Sequence, residues 1–256
     1  MIVFAIGCHP DDIEFMMGGT LLLLKEKGCT LHIMNMANGS CGTQQHGKEE
    51  IIKIRRQEGM KAAQRLGAVF HESIVDDLDV FFEPSLVSRV AATIREVKPD
   101  ILLTLSLEDY MEDHMNAGRI AMTAAFVRGM RNYATTPPAP PYQKDLALYH
   151  ALPYGLRDMM RKTVLPEFYV NVTSVMDQKT EALAAHASQK DWLDKSQGLD
   201  SYLTAMREMT KKVGSMSGRF EFAEGWRRHL HLGYSGLEIN PLQDLLGALC
   251  APEEKY

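Results

Sequence analysis

The 256-residue chain contains no apolar run long enough to cross a bilayer, so a helical membrane span is not expected. Polybasic runs are missing too. Lys and Arg number 28 against 33 Asp and Glu, for a net charge of -5, and the basic residues are scattered. Neither nucleic acid nor an anionic membrane surface is an expected partner. The four cysteines, Cys8, Cys29, Cys41 and Cys250, form no CxxC pair and no zinc-finger spacing, and a reducing, cytoplasmic setting is expected. No charged segment precedes the apolar N-terminus, which reads as a first strand rather than a secretory signal. Also absent are GxxxxGK(S/T), a GxGxxG after the first strand, and GxSxG. Their absence argues against a phosphate-cradling loop, a dinucleotide site and a serine-hydrolase elbow.

The organising stretch is an apolar run over residues 1–8 that ends abruptly in His9-Pro10-Asp11-Asp12, with an apolar helical pattern over 13–24. Gly18 and Gly19 fall inside that helix and permit close packing on a sheet. Further strands are expected at 30–36, 69–75 and 101–105. Helices are expected at 51–66, closed by Gly67, at 85–97, stopped by Pro99, and at 115–131. This alternation predicts an α/β fold: a Rossmann-like, doubly wound, mostly parallel sheet with helices on both faces. A proline-rich loop follows at 135–141, then strands at 146–152 and 168–172 and helices at 177–189 and 192–212. Residues 220–231 are helical by pattern, though rich in Trp, Arg and His. The last twenty residues read as a partly ordered tail. A single domain over 1–256 is expected, with 1–134 as the parallel βα core and 135–256 completing the sheet and walling the cleft.

Parallel strands end on one edge, and ligands in such sheets bind beyond those ends. That edge would gather His9, Asp11 and Asp12 from the first strand, Asn38 and Gly39 from the second, Asp76, Asp77 and Asp79 from the third, and residues 108–114 from the fourth. Taken alone, Pro10-Asp11-Asp12 is also a good helix N-terminus, and Asp113 an ordinary cap before His114. His and Asp clusters on two strand ends of one edge favour a metal. His9, Asp12 and His114 give three ligands and leave a fourth position for water, the open geometry of a catalytic zinc site. Asp11 is then free to take a proton from that water.

These residues resemble the PIG-L/LmbE-like N-deacetylase family, which includes the N-acetylglucosaminyl-phosphatidylinositol, mycothiol-pathway and bacillithiol-pathway deacetylases. The likeness rests on His9-Pro10-Asp11-Asp12-Ile13-Glu14 with Gly18-Gly19-Thr20. Arg55-Arg56-Gln57-Glu58, Asp113-His114 with Gly118, and His186-Ala187-Ser188-Gln189 add to it. The resemblance implies Zn2+, or another divalent ion such as Fe2+, held by His9, Asp12 and His114, with Asp11 as general base. The implied reaction removes an N-acetyl group from an amino sugar or its conjugate, such as one of N-acetylglucosamine, giving acetate and a free amine. Family members are often homo-oligomers.

One position departs from the family pattern. In the family the second segment often reads His-Pro-Asp-His, and its first histidine is proposed to assist as an acid or electrostatic stabiliser; here that position is Met111, whose thioether has no proton to give. Asp11 itself, Tyr110 or His186 would have to serve, with structural roles open for the last two. Asp113 is expected to orient a metal ligand, and Glu14 is expected either to do the same or to cap the first helix. Arg55 is expected near substrate unless it forms a surface pair with Arg56. Asn38 suits a sugar hydroxyl or a turn, and Trp226 to His231 suit a cleft wall or a subunit contact. A non-catalytic carbohydrate-binding protein on the same scaffold and a nucleotide-binding α/β protein are the competing functions.

Overall fold

The computed structural model describes residues 1–189 and 201–252. In chain order the elements are β1 (Ile2–Gly7), α1 (Asp12–Glu26), β2 (Thr30–Asn35), α2 (Lys48–Leu66), β3 (Ala68–His71), α3 (Pro84–Val97), β4 (Ile101–Thr104), α4 (Glu112–Phe126) and β5 (Ala147–Ala151). Then follow β6 (Phe168–Asn171), α5 (Met176–Leu183), α6 (Ser201–Met216), β7 (Ala223–Arg228), α7 (Pro241–Leu246) and β8 (Cys250–Pro252). They build one eight-stranded sheet in the order β3-β2-β1-β4-β5-β7-β6-β8. The first five strands in that order are parallel; β7, β6 and β8 extend the sheet by antiparallel pairing. The expected α/β, mostly parallel architecture is what forms.

Central strands of such a sheet are covered on both faces, so they are apolar throughout rather than alternating. Accordingly every residue of β4, and all of β1 after Ile2, is buried. The strand order reverses at β1, whose neighbours are β2 on one side and β4 on the other. A crevice opens beyond the carboxyl ends of β1 and β4 at this switch point. Gly67 ends α2 in the left-handed conformation, at φ 66°. Gly19 does what the sequence suggests: a Cβ there would lie 2.6 Å from Val172 Cγ1, so only glycine lets α1 lie this close to the sheet.

The second half corrects several expectations. Residues 223–228 form a strand, not a helix, with Ala223 to Trp226 all buried. Burial on both faces removes the alternation that would have marked a strand. Trp226 is a core residue whose Nε1 donates to Thr20 Oγ1 at 3.0 Å. Arg227 pairs with Glu108, and His229 Nδ1 lies 3.1 Å from His150 Nε2. Of the last twenty residues, expected as a partly ordered tail, the described ones include α7 and β8, and Tyr149 Oη donates to Asn240 Oδ1 at 2.7 Å; 253–256 lie outside the described residues. The helix expected over 177–189 stops at Leu183, and the one over 115–131 runs instead from Glu112 to Phe126. Of the helix expected over 192–212, residues 192–200 lie outside the described residues.

Candidate active site

Where β1 ends, Asp12 ties down its own turn. Its Oδ2 accepts the backbone N–H groups of Cys8 at 3.0 Å and His9 at 2.8 Å. Its Oδ1 is thereby aimed across the crevice at His114 Nε2, 3.4 Å away in the first turn of α4. His9 Nδ1 lies 3.4 Å from that same nitrogen. The outer edge of each imidazole is fixed by a carboxylate: Asp109 Oδ1 stands 3.2 Å from His114 Nδ1, and Asp113 Oδ2 stands 3.2 Å from His9 Nε2. A carboxylate can only accept, so in the neutral ring each outer nitrogen carries the proton and each inner one would present a lone pair to a cation.

Three donors therefore converge from His9, Asp12 and His114. Donors about 2.0–2.1 Å from a tetrahedral ion stand about 3.3 Å from each other, close to the 3.4 Å separations found. The residues thus fit a divalent cation. The surroundings also favour positive charge: burial opposes protonation of His114, but Asp12 and Asp109 outweigh it and push the imidazole up to about 9. Cys8, His9 and Asp113 form a second cluster of ligand type. Burial pushes the Cys8 thiol well up, and Cys8 does not line the cavity that His9, Asp12 and His114 share. Since Asp109 orients an imidazole, Asp109→Asn is expected to weaken zinc affinity about 10–100-fold. Competition with a chromogenic chelator measures this, and unchanged affinity would remove Asp109 from the site.

Asp11 stands beside the cluster, outside the donor set, with an unusual backbone φ of 121°. Tyr202 Oη donates to its Oδ2 at 2.8 Å, and Arg55 Nη2 lies 3.4 Å from the same oxygen. Burial pushes the Asp11 carboxyl above its ordinary range, against the pull of Arg55. All three residues line a cavity of about 480 Å³ with His9, Asp12 and His114. Arg55, not Arg56, is the inward arginine. It is buried and donates to Pro10 O and Gln189 Oε1, while Arg56 pairs with Glu72 at the surface.

Several expected contacts lie elsewhere. Asn38 makes the turn: it donates to Asp76 Oδ1 at 2.6 Å, accepts from Ser40 N at 3.1 Å, and stands outside the cavity lining. His186 is fully buried away from the cavity, with Nε2 3.2 Å from Glu14 Oε2. Glu14 accordingly neither caps α1 nor touches a metal ligand. Glu58 accepts from both the N–H and the hydroxyl of Ser188 at 2.7 Å. Glu14, Arg55 and Glu58 together pin residues 186–189, and hence Gln189, against the site. Tyr110 lines the cavity, half-exposed, with its ring edge-on to His114 at 5.7 Å. Met111 also lines it. Asp109, Gln189 and Tyr202 were missed as site residues. Asp109 lies in the quoted 108–114 segment, but its reach to His114 depends on the loop path. For Tyr202, 191 residues from its partner, no local signal exists.

Residues 4–125, which run from β1 through β4 and carry this imidazole–carboxylate cluster, match the PIG-L family, described as GlcNAc-PI de-N-acetylase. The chain carries a domain of this family. It is similar to the diacetylchitobiose deacetylase of Thermococcus kodakarensis, 27% identical over 88% of this chain and 82% of that one. It is also similar to the 4-oxalmesaconate hydratase of Pseudomonas putida, 25% identical over 72% of each. The solved structure of N,N'-diacetylchitobiose deacetylase from Pyrococcus horikoshii shares the fold, with TM-score 0.74 and 24% identity over 94% of this chain and 88% of that one.

Proposed function

We propose that the protein is a metal-dependent hydrolase that removes an N-acetyl group from an amino sugar or amino-sugar conjugate, with Asp11 as general base. The observation carrying this reading is the convergence of His9, Asp12 and His114 beside a carboxylate, Asp11, that lies outside the donor set and lines the same cavity. The de-N-acetylase family match and the deacetylase relative, which covers more of the chain than the hydratase does, support the amide as substrate. A divalent cation such as Zn2+ in that cluster supplies Lewis acidity toward the amide carbonyl and brings the pKa of water from 15.7 to about 7.

The chain's own residues handle the protons. Tyr202 and Arg55 both address Asp11 Oδ2, which leaves Oδ1 to accept a proton from the attacking water. As the C–N bond breaks, the same carboxyl returns that proton to the leaving nitrogen, because Met111 cannot. The products are acetate and a free amine. The deciding experiment measures acetate release from N-acetylglucosamine conjugates with a chelator, then after zinc is restored. Loss on chelation and recovery with zinc is expected. Activity indifferent to chelation would refute the metal-dependent reading. Metal binding without amide cleavage would favour a carbohydrate-binding protein on the same scaffold, and water addition to an unsaturated carboxylate would favour a hydratase.

A further inference from the structure

One wall of the cavity is a continuous run of rings. Tyr202, which holds Asp11, packs on Phe15 at 6.2 Å between centroids; Phe15 meets Tyr154 edge-on at 5.3 Å; Tyr154 meets Tyr110 at 5.9 Å; and Tyr110 meets His114 at 5.7 Å. The two inner rings, Phe15 and Tyr202, are buried, whereas Tyr110 is 54% and Tyr154 39% exposed at the mouth. The run thus reaches from the proton-accepting carboxylate to a metal-ligating imidazole and leaves two outer rings with open surface. Rings held by a buried neighbour present a flat apolar face at little entropic cost.

The charges of the lining point the same way. Asp11, Asp12 and Asp77 are its carboxylates. Among the described residues the lining has one guanidinium or ammonium group, that of Arg55, and it is taken by Pro10 O, Gln189 and Asp11. The nearby cations Lys48 and Arg227 are paired with Asp76 and Glu108. A bound divalent cation and Arg55 together just balance the three carboxylates, so the described residues of the lining hold no surplus positive charge for a phosphate or a carboxylate on the substrate.

We infer that the substrate's aglycone is flat and uncharged, and that Tyr154 and Tyr110 select it by stacking. This rests on the deacetylase reading above and narrows it to neutral glycosides. The test uses the full-length, zinc-loaded protein with three probes: para-nitrophenyl N-acetyl-β-glucosaminide, N-acetylglucosaminyl phosphate and free N-acetylglucosamine. Binding is measured by calorimetry on the Asp11→Asn variant, and acetate release on the wild type. The aryl glycoside is expected to bind about tenfold more tightly than either other probe. Tyr154→Leu, and separately Tyr110→Leu, are expected to erase most of that advantage through KM rather than kcat; two independent variants guard against one that fails to fold. Phosphate binding as tight as aryl binding, or an aryl advantage intact in both variants, would overturn the inference while leaving deacetylation standing. An aryl advantage in binding with no acetate released from any probe would keep the aromatic clamp and overturn the deacetylase reading instead.

Discussion

Replacing Asp11 with asparagine is expected to leave zinc bound and to lower kcat by about 10²–10⁴. The two effects separate because the donors are His9, Asp12 and His114, while Asp11 faces the same cavity from outside that set. Asparagine retains the shape and an oxygen that can accept the Tyr202 hydroxyl, now 2.8 Å from the carboxylate. It is also among the side chains most tolerant of the positive φ that this position adopts. The lost ion pair with Arg55 matters less to the fold, since Pro10 O and Gln189 still hold the guanidinium. What disappears is a group that can take a proton and return it, and with Met111 nearby no histidine substitutes. Metal content by elemental analysis and turnover by amine release check both halves. Full turnover would remove Asp11 from the proton path, and loss of the metal would show that it helps to build the cation site.

How far the chain can be read without coordinates follows from where its signals are local. The first 126 residues alternate long apolar runs with amphipathic stretches, so β1 to β4 and α1 to α4 are legible, and so is the edge on which their ends meet. His9, Asp12 and His114 could be brought together because the topology puts both strand ends at one crevice. Side-chain identity within that crevice was harder to read. Asn38 has the right chemistry for a sugar but spends it on Asp76 and Ser40. His186 lies in a family-like segment but is buried against Glu14. Tyr202 and Gln189 reach the site through tertiary packing that no spacing encodes. β7 escaped notice for a related reason: with both faces covered, Ala223-Glu224-Gly225-Trp226 shows neither a period of two nor a long apolar run.

Glu224 is the site of a large expected stability effect. Its side chain is 2% exposed and pairs with Lys179 Nζ, itself 1% exposed, at 2.6 Å. The carboxylate also accepts the backbone N–H groups of Gly19 and Thr20 at 2.8 Å each, so it joins β7 to the middle of α1. Glu224→Ala would leave the buried Lys179 ammonium with no counter-charge, only Thr210 Oγ1 at 3.5 Å, and release both N–H contacts. Breaking such a pair from one side is expected to cost about 3–5 kcal/mol, read from urea unfolding. Lys179→Met is expected to cost less, because Glu224 keeps two backbone donors and the new side chain fills much the same apolar space. The ordering matters more than either value: equal losses would mean that the ion pair alone carries the effect, and a Glu224→Ala loss below about 1 kcal/mol would mean that neither partner does. The consequence reaches the chemistry, because α1 begins at Asp12, and Lys179 Cγ packs 3.4 Å from where a Gly18 Cβ would stand. A helix freed from β7 can shift Asp12 relative to His114, so Glu224→Ala should also weaken zinc binding although it touches no ligand. Unaltered zinc affinity in a folded Glu224→Ala protein would show that the middle of α1 and its first turn are energetically independent.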